Sequence, residues 1–204
     1  MFTQNFLLII ICLIICLTFH EAAHALAAHK LGDDTAKNQG RLSLNPFKHL
    51  SLWGSIMFLL VQFGWGKPVP VNPAYFKNPR RDQAFVALAG PLSNLLLAFI
   101  SGLFLIYLPA TIEFTYLFTQ INIGLAIFNL IPIPPLDGSK IIALFMNDNQ
   151  YARYVVFCDN YSAYMMIFVL FDIWLLPDLI GISIIGTILN TVITLIQALL
   201  LAGL

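Results

Sequence analysis

Stretches of about 20 apolar residues with almost no charge dominate this chain. That is the length a helix needs to cross the hydrocarbon core of a bilayer. Only 10% of the 204 residues are charged and 59% are hydrophobic, whereas about 25% of the residues in an ordinary soluble domain are charged. The sequence therefore predicts an all-α polytopic membrane protein, a single domain over residues 1–204, with helices at about 6–29, 83–108, 114–131, 154–174 and 181–201.

A shorter uncharged stretch, residues 50–66, is interrupted by Gly54, Gly64 and Gly66. It lies between two segments, GRLSLNP and KPVPVNP, whose prolines disfavour helix and suit extended backbone or edge strands. Non-helical backbone is tolerated at membrane depth where protein or a cavity surrounds it. We expect a small re-entrant or β segment at about 39–76, between the first two core helices, and five to six transmembrane helices in all.

The Lys and Arg residues predict the orientation of the chain. If residues 50–66 enter the membrane and return, all ten basic residues lie on the cytosolic side, in agreement with the positive-inside rule. If that stretch crosses fully, the basic cluster from Lys67 to Arg81 lies outside. We expect a multi-pass protein of the cell (plasma or inner) membrane with its N-terminus outside. The first apolar stretch lacks the basic n-region of a signal peptide, so we expect it to be retained as a helix.

The first helix contains HEAAH at residues 20–24. His20 and His24 are four residues apart and share one helix face, where two imidazoles can bind one zinc ion while Glu21 acts on a water molecule. His20 lies about 21 Å along the helix from Phe6, within the bilayer and towards its cytosolic side. Ionisable residues at that depth indicate a functional site; the alternative is a polar cluster that joins helices.

A zinc hydrolase needs three protein ligands and an open position, so one more ligand must come from elsewhere in the chain. Asp33 and Asp34 follow the first helix and are interpreted as solvated, and Asp172 lies near the outer end of a helix. Asp137 ends the segment NLIPIPPLD, whose prolines break a helix at the depth of the histidines, and Gly138 next to it permits close approach. We expect Asp137 to be the third ligand; the alternative is a helix N-cap.

The combination of HEAAH with NLIPIPPLDG resembles the site-2 protease family of intramembrane zinc metalloproteases. The intervening segments GRLSLNPFKH, GWGKPVPVNP and NPRRDQAFVALAGPLSNLLLA are similar to those of its compact members. The resemblance implies that His20, His24 and Asp137 bind one Zn²⁺ per chain and that Glu21 is the general base. It also implies that the protein is a zinc metalloendopeptidase of regulated intramembrane proteolysis, which cuts single-span membrane proteins or remnant signal peptides within or next to the span.

Two asparagines, Asn94 and Asn129, match polar positions of the family's motifs. Such amides can bind the substrate backbone or stabilise an oxyanion, or they can bond helix to helix. Compact members often carry an Asp two residues after the His of the LNP segment, but here His49 is followed by Leu50 and Ser51, which argues against a metal role for His49. We expect the compact form, without PDZ or cystathionine-synthase-like domains.

Two other functions remain open at this point. A non-catalytic family member would bind a transmembrane partner, although such a protein need not keep Glu21. A metal transporter would need ionisable groups strung across the membrane, whereas here they lie at one depth. The net charge is zero and no basic patch is visible, so we expect no nucleic-acid partner. Cys12 and Cys16 are interpreted as small hydrophobic residues in the helix packing.

Overall fold

The chain is almost entirely helical in a computed structural model, which describes residues 2–61, 64–107 and 112–202. Short 3₁₀ turns occur at Pro46–Lys48, Pro73–Tyr75 and Ala143–Phe145, and a π-helical stretch covers Phe171–Leu175. The α-helices in these ranges are α1 (Phe2–Lys30), α2 (Thr35–Asn38), α3 (Leu52–Val61), α4 (Pro79–Tyr107), α5 (Ile112–Leu130), α6 (Asp137–Ile142), α7 (Asp148–Leu170), α8 (Leu176–Ile180) and α9 (Ile184–Ala202).

Three helical stretches of the described chain are long and apolar enough to cross a membrane: Phe6–Lys30, Pro79–Phe104 and Asp148–Ile180. Helices α5 and α9 lie where two further spans are predicted. The polar residues Gln120 and Asn122 lower the mean hydropathy of α5, and α9 holds a shorter apolar stretch, Ile184–Ile196. The prediction of a helical, multi-pass membrane protein is confirmed; the total of five to six spans stays a prediction.

Local capping explains why two helices begin earlier than the sequence predicted. Helix α4 begins with Pro79 at its first position, and the Asp82 carboxylate accepts the N–H of Asn78 just before it. Helix α7 begins at Asp148 because Asn147 and Gln150 form a reciprocal capping box. The predicted end of the second span, residue 108, lies outside the described residues.

Helices α1, α4 and α5 pack against one another and form the bundle that carries the site. Cys12 and Cys16 on α1 are fully buried against Phe118 on α5. Both cysteines are free and pack as small apolar residues, as expected. Helix α6 packs against α4 and α5, which brings the NLIPIPPLDG segment back onto the bundle.

The two ends of the stretch 50–66 lie side by side. Leu50 and Gly66 form an isolated antiparallel bridge, and the Lys67 N–H donates to the His49 carbonyl at 2.7 Å. Between them α3 has ten residues, about 15 Å of helix and half the thickness of the hydrocarbon core. A Cβ at Gly54 would lie 1.9 Å from the Trp65 carbonyl oxygen, so this glycine permits the close return.

The expected β character of residues 39–76 is limited to that single bridge within the described part of the chain, because the prolines of the 67–73 segment leave few N–H groups for a ladder. Whether the 50–66 stretch re-enters a bilayer stays a prediction, and residues 62–63 lie outside the described residues.

Asp172 has a structural role. It lies just after α7, in the π-helical stretch Phe171–Leu175. Its buried carboxylate accepts hydrogen bonds from the Ser183 hydroxyl at 2.7 Å and from the N–H groups of Ile184 and Ile185 at 3.0 and 2.8 Å. These two N–H groups are the first donors of α9, so Asp172 stabilises the start of that helix from a neighbouring element.

Candidate metal centre

Three buried side chains from two helices converge on one point. The Nε2 atoms of His20 and His24 are 3.0 Å apart, and each lies 3.2 Å from Oδ2 of Asp137. This is a group of the kind that can hold a metal ion. The structure therefore brings together the three residues that the sequence predicted as ligands.

The chain around Asp137 folds so that its carboxylate faces the histidines. The proline-rich turn after α5 ends at Leu136, which occupies the N-cap position of α6, and Asp137 is the first residue of the helix. A Cβ on Gly138 would lie 2.2 Å from the Leu130 carbonyl oxygen, so α6 can fold back onto the end of α5 only with glycine there. The carboxylate is thus directed at the imidazoles. The N-cap residue of α6 is Leu136 and not Asp137.

Hydrogen bonds to carbonyl oxygens determine the tautomer of both histidines. Nδ1 of His20 lies 2.6 Å from Oδ1 of Asn94, and Nδ1 of His24 lies 2.7 Å from the Val86 carbonyl oxygen. Since these oxygens only accept, both Nδ1 atoms carry a proton, and in the neutral form of each ring Nε2 then presents a lone pair. Such backing of metal-binding histidines by a carbonyl is usual in zinc sites.

Two imidazole lone pairs and a carboxylate oxygen in mutual contact repel one another unless a cation lies between them. Tetrahedral Zn²⁺ with bonds of about 2.0–2.1 Å would separate its ligand atoms by about 3.3 Å. The observed separations of 3.0 to 3.2 Å are close to that value. The donor set and its spacing therefore fit zinc.

A buried network holds the Asn94 amide in place behind His20. Its Nδ2 donates to the Cys16 carbonyl at 3.1 Å and to Oδ1 of Asn122 at 2.9 Å. Asn122, on α5, was not singled out by the sequence analysis; its signal is an amide in the middle of an apolar helix. The Asn129 amide donates to the Leu125 carbonyl of its own helix at 2.9 Å. A role of either predicted asparagine in substrate or oxyanion binding stays a prediction.

Helix α4 passes close to the histidine pair at Gly90. A Cβ at this position would lie 2.4 Å from Nε2 of His24 and 2.6 Å from Cε1 of His20. Only the absence of a side chain lets α4 approach so closely. The sequence analysis missed this residue, although the Gly90-Pro91 pair inside a transmembrane helix is an unusual pattern that could have indicated it.

Glu21 is buried beside the histidines, and its carboxylate is held by main chain from a distant segment. Oε2 accepts the N–H of Val69 at 3.1 Å. The carbonyls of the two residues before Val69, Lys67 and Pro68, accept hydrogen bonds from the guanidinium of Arg41. Arg41 is itself buried: burial lowers the pKa of Arg41, and the Glu21 charge partly offsets this. An arginine remains charged under these conditions.

Asp33 anchors the other end of the same segment. Its fully buried carboxylate accepts the N–H of Asn72 at 2.7 Å and that of Thr35 at 2.9 Å. Burial opposes the charge of Asp33, but these hydrogen bonds outweigh it and keep the pKa of the carboxyl below its ordinary value. The sequence interpretation of Asp33 as a solvated residue is wrong, because Asn72 arrives from 39 residues along the chain to cover it.

His49 is buried away from the metal group. Its Nε2 lies 2.7 Å from the Ser43 carbonyl oxygen, and Nδ1 has no hydrogen-bond partner in the described part of the chain. Its main chain is bonded to Lys67, so His49 belongs to the packing beneath the 66–73 segment.

The chain is similar to several known proteins. Residues 109–172, which include Asp137, match the model of peptidase family M50. The chain is 48% identical over 147 residues to "Putative zinc metalloprotease YwhC" of Bacillus subtilis, an alignment that covers 66% of this chain and 67% of that protein.

More distant relatives carry similar names. "Putative zinc metalloprotease Rip2" of Mycolicibacterium smegmatis is 33% identical over 65% of this chain and 55% of its own length. "Putative zinc metalloprotease MJ0611" of Methanocaldococcus jannaschii is 31% identical over 61% of this chain and 63% of its own length. The chain thus spans less than two thirds of these two relatives. No solved structure matches the chain.

Proposed function

Because the chain belongs to peptidase family M50, the site-2 proteases, and is therefore a zinc metalloprotease, we propose that it hydrolyses peptide bonds within or next to transmembrane segments of other proteins. The substrates would be single-span membrane proteins or remnant signal peptides, cut in regulated intramembrane proteolysis. We also propose that residues 1–204 form one intramembrane domain.

The convergence of His20, His24 and Asp137 with Glu21 beside them is the observation that carries this proposal. His20, His24 and Asp137 would hold one Zn²⁺ per chain through the two Nε2 atoms and a carboxylate oxygen. When bound there, the ion would activate water and polarise the scissile carbonyl. Three protein ligands would leave one position free for water or substrate.

The protein's own residues would perform the proton transfers and the positioning. Glu21 takes a proton from the attacking water and passes it to the leaving amine. Asn94 and Val86 hold the rings of His20 and His24 so that both Nε2 atoms face the Asp137 carboxylate, where the ion would bind. The site lies towards the cytosolic side in the proposed orientation, where the polar loops provide water and the products can leave.

The test is to measure zinc content and cleavage of a single-span model substrate in detergent for the wild type and Glu21→Gln. We expect one zinc per chain in both proteins and a fall in cleavage of about 10²–10⁴-fold in the variant, the usual contribution of a general base. The matched control is Glu113→Gln, which changes the chain's other glutamate, an exposed residue in the first turn of α5, and should leave both quantities unchanged.

The other outcomes point to other functions. Zinc in both proteins without cleavage by the wild type would favour a binding protein, and equal cleavage by both would remove Glu21 from the mechanism. Absence of zinc from both would contradict the metal centre. A metal transporter would carry zinc across the membrane of reconstituted vesicles both as wild type and as Glu21→Gln.

A further inference from the structure

The main chain that contacts Glu21 offers few hydrogen-bond donors. In the 67–73 segment, KPVPVNP, the residues on either side of Val69 are Pro68 and Pro70, which have no N–H. Val69 therefore supplies the only main-chain donor between Lys67 and Val71, and that donor is bonded to the Glu21 carboxylate at 3.1 Å. The contact depends on how this one N–H is oriented.

A single peptide group connects Arg41 to Glu21. The Pro68 carbonyl, which accepts Nη1 of Arg41 at 3.2 Å, and the Val69 N–H, which donates to Glu21, belong to the same planar unit. In a trans peptide these two groups point in opposite directions, so holding the carbonyl on one side directs the N–H to the other. The guanidinium also polarises the unit and strengthens the N–H as a donor.

The segment has other anchors that do not involve Arg41. Lys67 donates to the His49 carbonyl, and Asp33 accepts from Asn72. A buried guanidinium is costly in free energy, and Nε of Arg41 has no hydrogen-bond partner among the described residues. If the segment only had to be held in place, these outer anchors would act without the second buried charge that Arg41 adds.

We propose that Arg41 is the positioning residue for Glu21 and acts through the Pro68–Val69 peptide, whose N–H fixes one carboxylate oxygen and so directs the carboxylate during catalysis. This inference rests on the proposed function of Glu21 as general base. Arg41 does not touch the substrate in this account, so its loss affects turnover rather than substrate affinity.

The kinetic test compares Arg41→Gln with Arg41→Lys and with Arg153→Gln, an exposed arginine on α7. For Arg41→Gln we expect a fall in kcat of about 10–100-fold, the usual effect of losing an outer-shell partner, with KM within about twofold and zinc retained. Arg41→Lys should recover part of the loss because it keeps a charged donor, and Arg153→Gln should behave as wild type. Loss of zinc together with kcat, or a change in KM alone, would overturn the proposal.

A double-mutant cycle tests whether Arg41 acts through the peptide. Val69→Pro deletes the N–H, and we expect a fall in kcat of similar size. In that background Arg41→Gln should have no further effect, because the contact it positions is already missing. If the falls in kcat of Arg41→Gln and Val69→Pro multiply in the double variant, Arg41 acts by another route and the proposal fails.

Hydrogen exchange of residues 66–72, read at single-residue resolution by mass spectrometry, provides a measurement that needs no substrate. We expect Arg41→Gln to speed exchange at Val69 at least tenfold while Lys67 and Asn72 keep their wild-type rates. Unchanged exchange at Val69, or a uniform increase across the segment, would overturn the proposal. If the wild type does not cleave, the proposed function fails, and this measurement still decides whether Arg41 positions the peptide.

Discussion

The candidate metal centre leaves no space for a side chain at position 90. Helix α4 passes so close to the histidine pair that a Cβ there would overlap both imidazoles, with separations of 2.4–2.6 Å. Further along the same helix, Gly102 has no atom within 4 Å of its would-be Cβ among the described residues. The two glycines therefore differ in packing while sharing the same helix.

We expect Gly90→Ala to displace the imidazoles and to lower zinc affinity by at least tenfold, with a loss of stability of about 1–3 kcal/mol from overpacking. Gly102→Ala should keep zinc and cleavage and stabilise α4 slightly, since alanine favours helix over glycine. Zinc titration and thermal unfolding of both variants in detergent measure these effects. Equal zinc affinities would contradict the close approach of α4.

Among whole elements, the extended 66–73 segment is the one whose position depends most on contacts from elsewhere. It has no strand partner beyond the Leu50–Gly66 bridge in the described chain, and its prolines prevent a regular ladder. Contacts from the loops after α1 hold it, through Arg41 near its start and Asp33 near its end.

Removing the Asp33 anchor should destabilise the protein in a pH-dependent way. In the folded protein the Asp33 pKa lies below its ordinary value of about 3.9, so its stabilising effect is complete above that pH and is lost as the pH falls through the lower, folded-state pKa. We expect Asp33→Asn to lose about 1–3 kcal/mol at pH 7 and the difference from wild type to shrink below pH of about 4.

Thermal unfolding from pH 7 to pH 3 measures this effect. The metal-free protein is used so that loss of zinc at low pH does not contribute to the change in stability. The matched control is Asp34→Asn, the neighbouring half-exposed aspartate, which should change stability by less than about 0.5 kcal/mol. If the difference in stability between the wild type and Asp33→Asn stays constant across the pH range, the charge of Asp33 is not what holds the segment.

At the scale of the whole molecule, the fold brings the two ends of the 50–66 stretch together, and this bears on orientation. Full crossing would separate the chain before and after the stretch by the thickness of the bilayer, about 30 Å. Here Leu50 and Gly66 are paired and Asp33 is bonded to Asn72. Both contacts are those expected of a stretch that enters and returns, as the expected orientation requires.

Single cysteines introduced into a variant without Cys12, Cys16 and Cys158 test this orientation. We expect a membrane-impermeant maleimide to label Asp178→Cys in intact cells and to label Lys37→Cys and Lys77→Cys only after the membrane is opened. All three positions are exposed. Labelling of Lys77→Cys but not of Lys37→Cys in intact cells would show that the 50–66 stretch crosses the membrane. Retained cleavage by each variant is the control for correct folding.

The helices and the candidate ligands were predictable from the sequence because their signals are local. Apolar stretches of spanning length show where helices lie, and the four-residue spacing of His20 and His24 places both on one helix face. Because polar groups are costly in lipid, these residues, and Asp137 after its prolines, were candidates for a functional site. Family resemblance then assigned each of them a role.

The partners that complete the site depend on contacts between residues far apart in the chain. Nothing near His24 in sequence indicates that Val86 holds its ring from 62 residues away, or that Val69 meets Glu21 from 48 residues away. A main-chain carbonyl or N–H is the same in every residue type, so its position depends only on how helices and loops pack. The residue types determined where a metal could bind, and tertiary packing determined which way each ring and carboxylate faces.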